Sequence, residues 1–395
     1  MLRKNSLDWG MSKSCIRELA AFGAQRKAEI GVENVFDFSL GNPSVPAPKC
    51  VDEALLEVIK STPSTELHGY TPAAGLPSLR KAIAENLNSR WNTSLSAENI
   101  YVCCGAAAGI TACTGGLMNS GEQLIAFAPY FPEYRVFTES GGGEFVSVAS
   151  KADMQPDFEA FEKAINEKTG MVIINSPNNP SGAVLSDKSL KTLAEIMDKA
   201  QRKFGKPIYL LSDEPYRELV YEGERVPCVF DYYDNSIVCY SFSKALSLPG
   251  ERIGYVAVNP KMQDADKAFA AVAGAARGYG YVNPPSLMQR VVEKCLGQTS
   301  DISQYKKNRD LLYGGLTKLG FECVKPEGAF YLMLKCPIND AKEFSDRAKK
   351  YELLLVPGDD FGIEGYVRLA YCVSEETIKN SMPAFEKLAK EFGLI

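Results

Sequence analysis

Between about residue 100 and residue 260 the chain repeats one alternation, a short apolar β-branched run followed by a longer amphipathic stretch. The runs are IYVCC (100–104), QLIAFA (123–128), MVIIN (171–175), PIYLLSD (207–213), SIVCYSFS (236–243) and IGYVAV (253–258). Between them, segments such as FEAFEKAINEK and DKSLKTLAEIMDKAQRKFG carry apolar residues at helical spacing. Strands that are apolar almost throughout have no solvent face, and strands alternating with helices pair in parallel. The pattern therefore predicts an α/β fold, with a mostly parallel sheet sandwiched by helices.

The C-terminal third reads differently. A helical DLLYGGLTKLG ends at Gly320, FECVKPEGAFYLMLK and GYVRLAYCV read as strands, and SEETIKNSMPAFEKLAKEFG reads as a closing helix despite Pro383. This predicts a smaller α+β domain of residues 1–45 and 286–395 beside a large domain of residues 46–285, within what 395 residues allow. A hydrophobic share of 45%, a charged share of 24% and a net charge of −5 fit a soluble globular protein and give no reason to expect nucleic acid or an anionic membrane as partner. No apolar run approaches the ~18–20 residues of a membrane-spanning helix. MLRKNSLDWGMSKSC lacks the apolar core of a secretory signal. Eleven scattered cysteines with no CxxC pair fit a reducing cytoplasm rather than a disulfide framework. The single histidine, His68, weighs against a His-rich metal site or a serine–histidine triad, so other groups must do the acid–base work.

In open α/β sheets ligands bind at the carboxyl ends of the strands, so the residues after each apolar run are the candidates. After IYVCC comes Gly105-Ala106-Ala107-Ala108-Gly109, a small-residue turn whose backbone N–H groups can approach a phosphate at a helix N-terminus. Pro129-Tyr130-Phe131-Pro132 follows the second run, and Ser176-Pro177-Asn178-Asn179-Pro180-Ser181-Gly182 the third. PIYLLSD ends at Asp213, with Glu214, Pro215 and Tyr216 behind it, and SIVCYSFS leads to Ser241, Ser243 and Lys244, with Arg252 close after. Each has a plainer reading alone: the turn as an ordinary loop, the aspartate as a helix cap, the aromatics as core, the lysine as a solvated charge. Their conjunction in order along one sheet edge points instead to a planar, phosphorylated nitrogen heterocycle carrying a carbonyl.

NSPNNPSG (175–182), SDEPY (212–216) and SFSKALSLPGERIG (241–254) closely resemble the signature segments of class I/II aminotransferases, the aspartate-aminotransferase-like, fold-type-I pyridoxal-phosphate enzymes. SLGNPSVPAP, YTPAAGLPSLRKAI (70–83), PGDDFG and GYVRLAY extend the resemblance over nearly the whole chain. The resemblance implies pyridoxal 5'-phosphate as cofactor, bound covalently by Lys244, which also moves the Cα proton. It implies that Asp213 pairs with the pyridine nitrogen and that Asn179 and Tyr216 bond the ring oxygen. Ser241, Ser243, Arg252 and the N–H groups around Gly105, Ala106 and Ala107 would hold the phosphate, and Phe131 would stack on the ring. Tyr70 would reach the phosphate of a neighbouring subunit, so a homodimer with shared active sites is the expected unit. Arg368, with Asn179 and the backbone at Gly41, would grip the α-carboxylate of an amino acid or 2-oxo acid.

Arg368 also stands out on its own, as the only charge in GYVRLAYCV. A guanidinium on an apolar strand needs an anion, because burial without one costs several kcal/mol; either a substrate carboxylate or a protein carboxylate would answer. For a distal carboxylate the Ala106–Ala108 turn lacks the lysine that some aspartate-specific members place there. Arg277, upstream of Tyr281-Val282-Asn283-Pro284-Pro285, is the other candidate, at a spacing one residue longer than the family's. The expected reaction is amino transfer between an L-amino acid, aspartate or an aromatic one, and a 2-oxo acid such as 2-oxoglutarate. A β-eliminating C–S lyase or other α-carbon lyase on the same scaffold is the rival reading, and a cofactor-binding regulator without turnover a more remote one.

Overall fold

A computed structural model describes residues 4–11, 15–223 and 225–395; part of the N-terminal stretch read above for a signal lies outside the described residues. Seven strands form the main sheet: β1 (Ile100–Cys103), β2 (Gln123–Phe127), β3 (Glu144–Val148), β4 (Thr169–Asn175), β5 (Tyr209–Asp213), β6 (Ser236–Ser241) and β7 (Gly254–Val258). Their order is β1-β7-β6-β5-β4-β2-β3. Pairing is parallel from β3 through β6, while β7 runs antiparallel to both its neighbours.

Alternation along the central strand explains the two layers of helices. Every residue of β4 is buried; Val172 and Ile174 enter one hydrophobic core, Met171 and Ile173 another on the opposite face. The first core is closed by helices including Lys49–Ser61, Pro77–Arg90, Asp187–Phe204 and Ser286–Lys294, the second by Ala106–Leu117 and Ala265–Gly278. The helix Asp187–Phe204 shows the local logic. Ser186 accepts a hydrogen bond from the Ser189 N–H at its start, Leu190, Leu193, Ala194, Met197 and Ala200 form its buried stripe, and Gly205 ends it in the left-handed region.

The C-terminal part builds a second sheet, ordered β10-β11-β9-β8, from β8 (Cys323–Val324), β9 (Tyr331–Lys335), β10 (Val356–Pro357) and β11 (Tyr366–Ala370). Its own core includes residues of the helices Ile302–Lys318, Ala341–Ala348 and Glu375–Glu391. Pro383 lies inside the last helix, on its exposed side. Backbone bonds from Glu327 N to Gly182 O (3.0 Å) and from Tyr130 N to Phe361 O (3.0 Å) stitch the two sheets together at the carboxyl end of the larger one.

Two readings need adjustment. The run 236–243 is strand only to Ser241, because the Ser241 hydroxyl accepts the Ser243 N–H at 3.1 Å and turns the chain into the short helix Phe242–Ala245, which carries Lys244. The edge strand β3 was absent from the sequence reading; EFVSV is mostly half-exposed there and lacks the all-apolar signature of its neighbours. No described helix is long and apolar enough to cross a membrane.

Candidate active site

The strand ends of the main sheet open on a cavity of about 310 Å³, roofed by β9, β11 and the loop at Gly41. At one end lies a cradle for an anion. Gly105, at φ +81°, turns β1 into the helix Ala106–Leu117 and leaves Ala106 and Ala107 on the cavity wall. A β-carbon on Gly105 would sit 3.0 Å from Arg252 Nη2, so the glycine is what lets the guanidinium approach this turn. The Ser241 and Ser243 hydroxyls lie 2.6 Å apart beside them, both lining the cavity. A helix N-terminus, two hydroxyls and a guanidinium thus converge without a carboxylate among the cavity's contributions at that end.

Asp213 ends β5 in the middle of the cavity wall. Its Oδ2 accepts the Tyr134 hydroxyl at 2.5 Å, whereas its Oδ1 is buried without a partner. Burial pushes its pKa up to about 7 against the pull of the tyrosine, with nearby Glu214 raising it further. A buried acceptor left open on a cavity is the feature a protonated ring nitrogen would satisfy. Lys244 Nζ donates to the Gly41 carbonyl at 2.8 Å, and desolvation lowers its pKa to about 8, so near neutral pH a useful share is free amine.

Arg368 reaches in from β11. It donates to Asn179 Oδ1 at 3.3 Å and to the Ser39 carbonyl, lies 4.7 and 4.9 Å from the ring centres of Tyr331 and Phe361, and its Nε has no partner. Its described partners include no carboxylate, so of the two sequence alternatives the internal ion pair is not built. Asn179 is itself held by its N–H bond to Asn175 Oδ1 (2.6 Å), and Asn175 in turn donates to the Asp213 carbonyl (2.8 Å). The Tyr216 and Tyr331 hydroxyls are 2.9 Å apart, and Phe131 lines the cavity with its ring edge-on to Tyr134.

Of the residues marked in the sequence, those at Gly41, Ala106, Ala107, Phe131, Asn179, Asp213, Tyr216, Ser241, Ser243, Lys244, Arg252 and Arg368 come together around this one space. Tyr70 is 99% exposed, and Arg277 is exposed on the helix Ala265–Gly278; neither lines the cavity of its own chain. Sequence reasoning missed Tyr134 and Tyr331. Tyr134 lies one helical turn beyond Phe131, which was a usable signal; Tyr331 comes from β9, far away in sequence, and had none. A larger depression of about 650 Å³ lies by Lys206, Tyr209 and Asp264 at the opposite ends of the strands. Its lysines are already paired, Lys206 with Glu122 (2.6 Å) and Lys267 with Asp264 (2.9 Å).

Comparisons with known proteins agree with this geometry. A family model described as aminotransferase class I and II matches residues 33–385. The chain is 31% identical over 360 residues to an aspartate/prephenate aminotransferase of Thermus thermophilus, covering 88% of this chain and 89% of that one. It superposes on an aminotransferase of Eubacterium rectale with a TM-score of 0.97 at 48% identity over 99% of both chains. On the Thermus thermophilus aspartate aminotransferase with maleate the TM-score is 0.87 at 27% identity, over 98% of this chain and 99% of that one. The sheet and its flanking helices are those of fold type I. The chain belongs to the class I and II aminotransferase family, whose members are pyridoxal-phosphate-dependent transaminases, and it is an enzyme of that kind.

Proposed function

We propose that this cavity holds pyridoxal 5'-phosphate and that the protein moves an amino group between an L-amino acid and a 2-oxo acid. One observation carries the reading: the partnerless Oδ1 of Asp213 and the amine of Lys244 both open on a cavity that ends in an anion cradle. When bound, the cofactor supplies an aldehyde that condenses with amines and a protonated ring that accepts the electron pair left at Cα.

The chain's own residues supply the rest. Lys244 would carry the covalent link to the cofactor and, as a free amine, would hold and move the proton at Cα; its depressed basicity would suit both tasks. The Tyr134 bond favours the ionised form of Asp213 against its burial, and that carboxylate would keep the ring nitrogen protonated. Tyr216 and Asn179 would bond the ring oxygen, and Phe131 would cover the ring face. Ser241, Ser243, Arg252 and the amides at Gly105, Ala106 and Ala107 would hold the phosphate. Arg368 binds the α-carboxylate in bidentate fashion, with Asn179 and the backbone at Gly41 fixing its approach.

The same reading makes the protein a homodimer, in which Tyr70 reaches the partner subunit's phosphate and Arg277 the partner's substrate. The full exposure of Tyr70 in the single chain leaves its ring open to a neighbouring subunit. It also divides the chain into a cofactor domain of residues 46–285 and a small domain of residues 1–45 and 286–395; the separate cores of the two sheets support two units, although the helix Ser286–Lys294 packs on the core of the larger sheet. A panel of L-amino acids, scored by conversion of the bound cofactor to its amine form, tests the reading. Stoichiometric conversion, reversed by a 2-oxo acid, is expected; pyruvate release without an acceptor would assign a β-eliminating lyase instead.

A further inference from the structure

Tyr331 opens strand β9 at the edge of the cavity, and three parts of the site converge on it. Its hydroxyl lies 2.9 Å from that of Tyr216. Its ring centre is 4.7 Å from the guanidinium carbon of Arg368, which has the Phe361 ring at 4.9 Å as well. A β-carbon on Gly41 would fall 2.0 Å from the Tyr331 hydroxyl oxygen, so this phenol is seated against the loop whose carbonyl holds Lys244. Although it lines the cavity, Tyr331 is only 3% exposed, and pairing with Ala370 across the sheet fixes its backbone.

A count of protons gives this contact a direction. Each phenol has one proton, and the hydroxyl pair alone fits either donor. An ionised ring oxygen can only accept, so a Tyr216 that bonds it must spend its proton there. The bond between the two phenols is then donated by Tyr331. We propose that Tyr331 is a positioning residue for both ends of the transamination site: its hydroxyl donates to Tyr216 and so aims the Tyr216 proton at the cofactor's ring oxygen, while its ring face holds the Arg368 guanidinium in the plane that meets the substrate carboxylate. The inference rests on the cofactor reading given above. Hydrogen bonds in such a chain polarise one another, so losing the outer one weakens the inner.

Two substitutions in the holoenzyme separate the two roles. Tyr331→Phe keeps the ring and removes the hydroxyl. The pH midpoint of the visible cofactor band should rise by a few tenths of a unit, because the deprotonated chromophore loses support. The dissociation constant of the amino acid that converts the band fastest should stay within about threefold of wild type, because the ring over Arg368 remains. Tyr331→Leu, or Tyr331→Met if that variant does not fold, removes both, and should raise that dissociation constant about tenfold in addition to moving the midpoint. A purely structural tyrosine would lower the melting temperature without separating these readouts. An unchanged or lowered midpoint in Tyr331→Phe overturns the donor role, and wild-type substrate affinity in the leucine or methionine variant overturns the platform role. A wild-type protein without any visible band would overturn the cofactor reading itself, and this inference with it.

Discussion

Tyr134 donates its hydroxyl to Asp213 Oδ2 at 2.5 Å, from a helix that begins only two residues past Phe131. The bond lies entirely inside the protein, where removing it leaves the carboxylate with no donor among the described side chains. A lost hydrogen bond to a charged group is worth about 1.5–3 kcal/mol, or one to two pKa units. Tyr134→Phe should therefore raise the Asp213 pKa further and weaken cofactor binding at pH 7 by roughly tenfold, with a smaller deficit at pH 9. Equilibrium titration of the cofactor-free protein at both values checks this; equal affinity at both would mean that Tyr134 only packs.

Asp213 also makes stability depend on pH. Its folded-state pKa of about 7 lies above the ordinary 3.8, so between those values the folded protein keeps a proton that the unfolded chain has lost. Its contribution is fully present below about pH 4 and is lost as the pH rises through about 7, by at most about 4 kcal/mol. In denaturant unfolding of the cofactor-free protein, Asp213→Asn should flatten that decline. In the holoenzyme the same variant should retain some cofactor yet slow Cα proton abstraction by orders of magnitude; an unchanged rapid-mixing trace would reduce Asp213 to a tether.

Lys244 should be the residue labelled when the loaded protein is reduced with borohydride and digested, and Lys244→Ala should lose the yellow colour and nearly all turnover. Label on Lys206 or Lys261 would sink the assignment. Because burial lowers the Lys244 pKa to about 8, the rate at which the cofactor-free protein couples to pyridoxal phosphate should rise with a midpoint near pH 8, well below the 10.5 of an ordinary lysine.

Gly105→Ala tests the phosphate cradle. At φ +81° and ψ 168° the backbone lies in a region essentially restricted to glycine, where a β-carbon costs about 1–3 kcal/mol, and that carbon would press on Arg252 Nη2. The variant should fold with a modestly lower melting temperature and bind pyridoxal phosphate much more weakly than wild type, while affinity for unphosphorylated pyridoxal changes little. Equal losses for both ligands would point to general damage.

Arg277→Ala tests the distal end of the substrate. If the partner's guanidinium pairs with a second carboxylate, kcat/KM for aspartate should fall by roughly one to two decades, the value of one charge-assisted bond. Phenylalanine and alanine should be affected much less. An equal loss for all donors would indicate a structural role, and no loss for aspartate would leave that carboxylate to other groups.

What could be read in advance follows from how local each signal is. β4 to β6 are buried along nearly their whole length, so their composition alone marked them, and Asn179, Asp213 and Lys244 follow directly from where those strands stop. Tyr331, Ser39 and the seat of Lys244 on the Gly41 carbonyl depend on how a second sheet folds over the first, which no local pattern encodes. β3 was invisible because an edge strand open to solvent needs no apolar run. Arg277 and Tyr70 were legible only through family resemblance, and one chain by itself brings neither to its own cavity.

The bond from Lys244 to the Gly41 carbonyl spans 203 residues of sequence, and Arg368 meets the Ser39 carbonyl across 329. The site is thus closed by segments far apart in sequence rather than by any contiguous stretch. A chain that has emerged from the ribosome only through β7 carries Lys244 and the Gly105 turn but lacks the strand bearing Arg368. A C-terminally clipped chain that keeps Lys244 therefore loses Arg368 and, if cut before Ala265, also helices that close both cores of the main sheet.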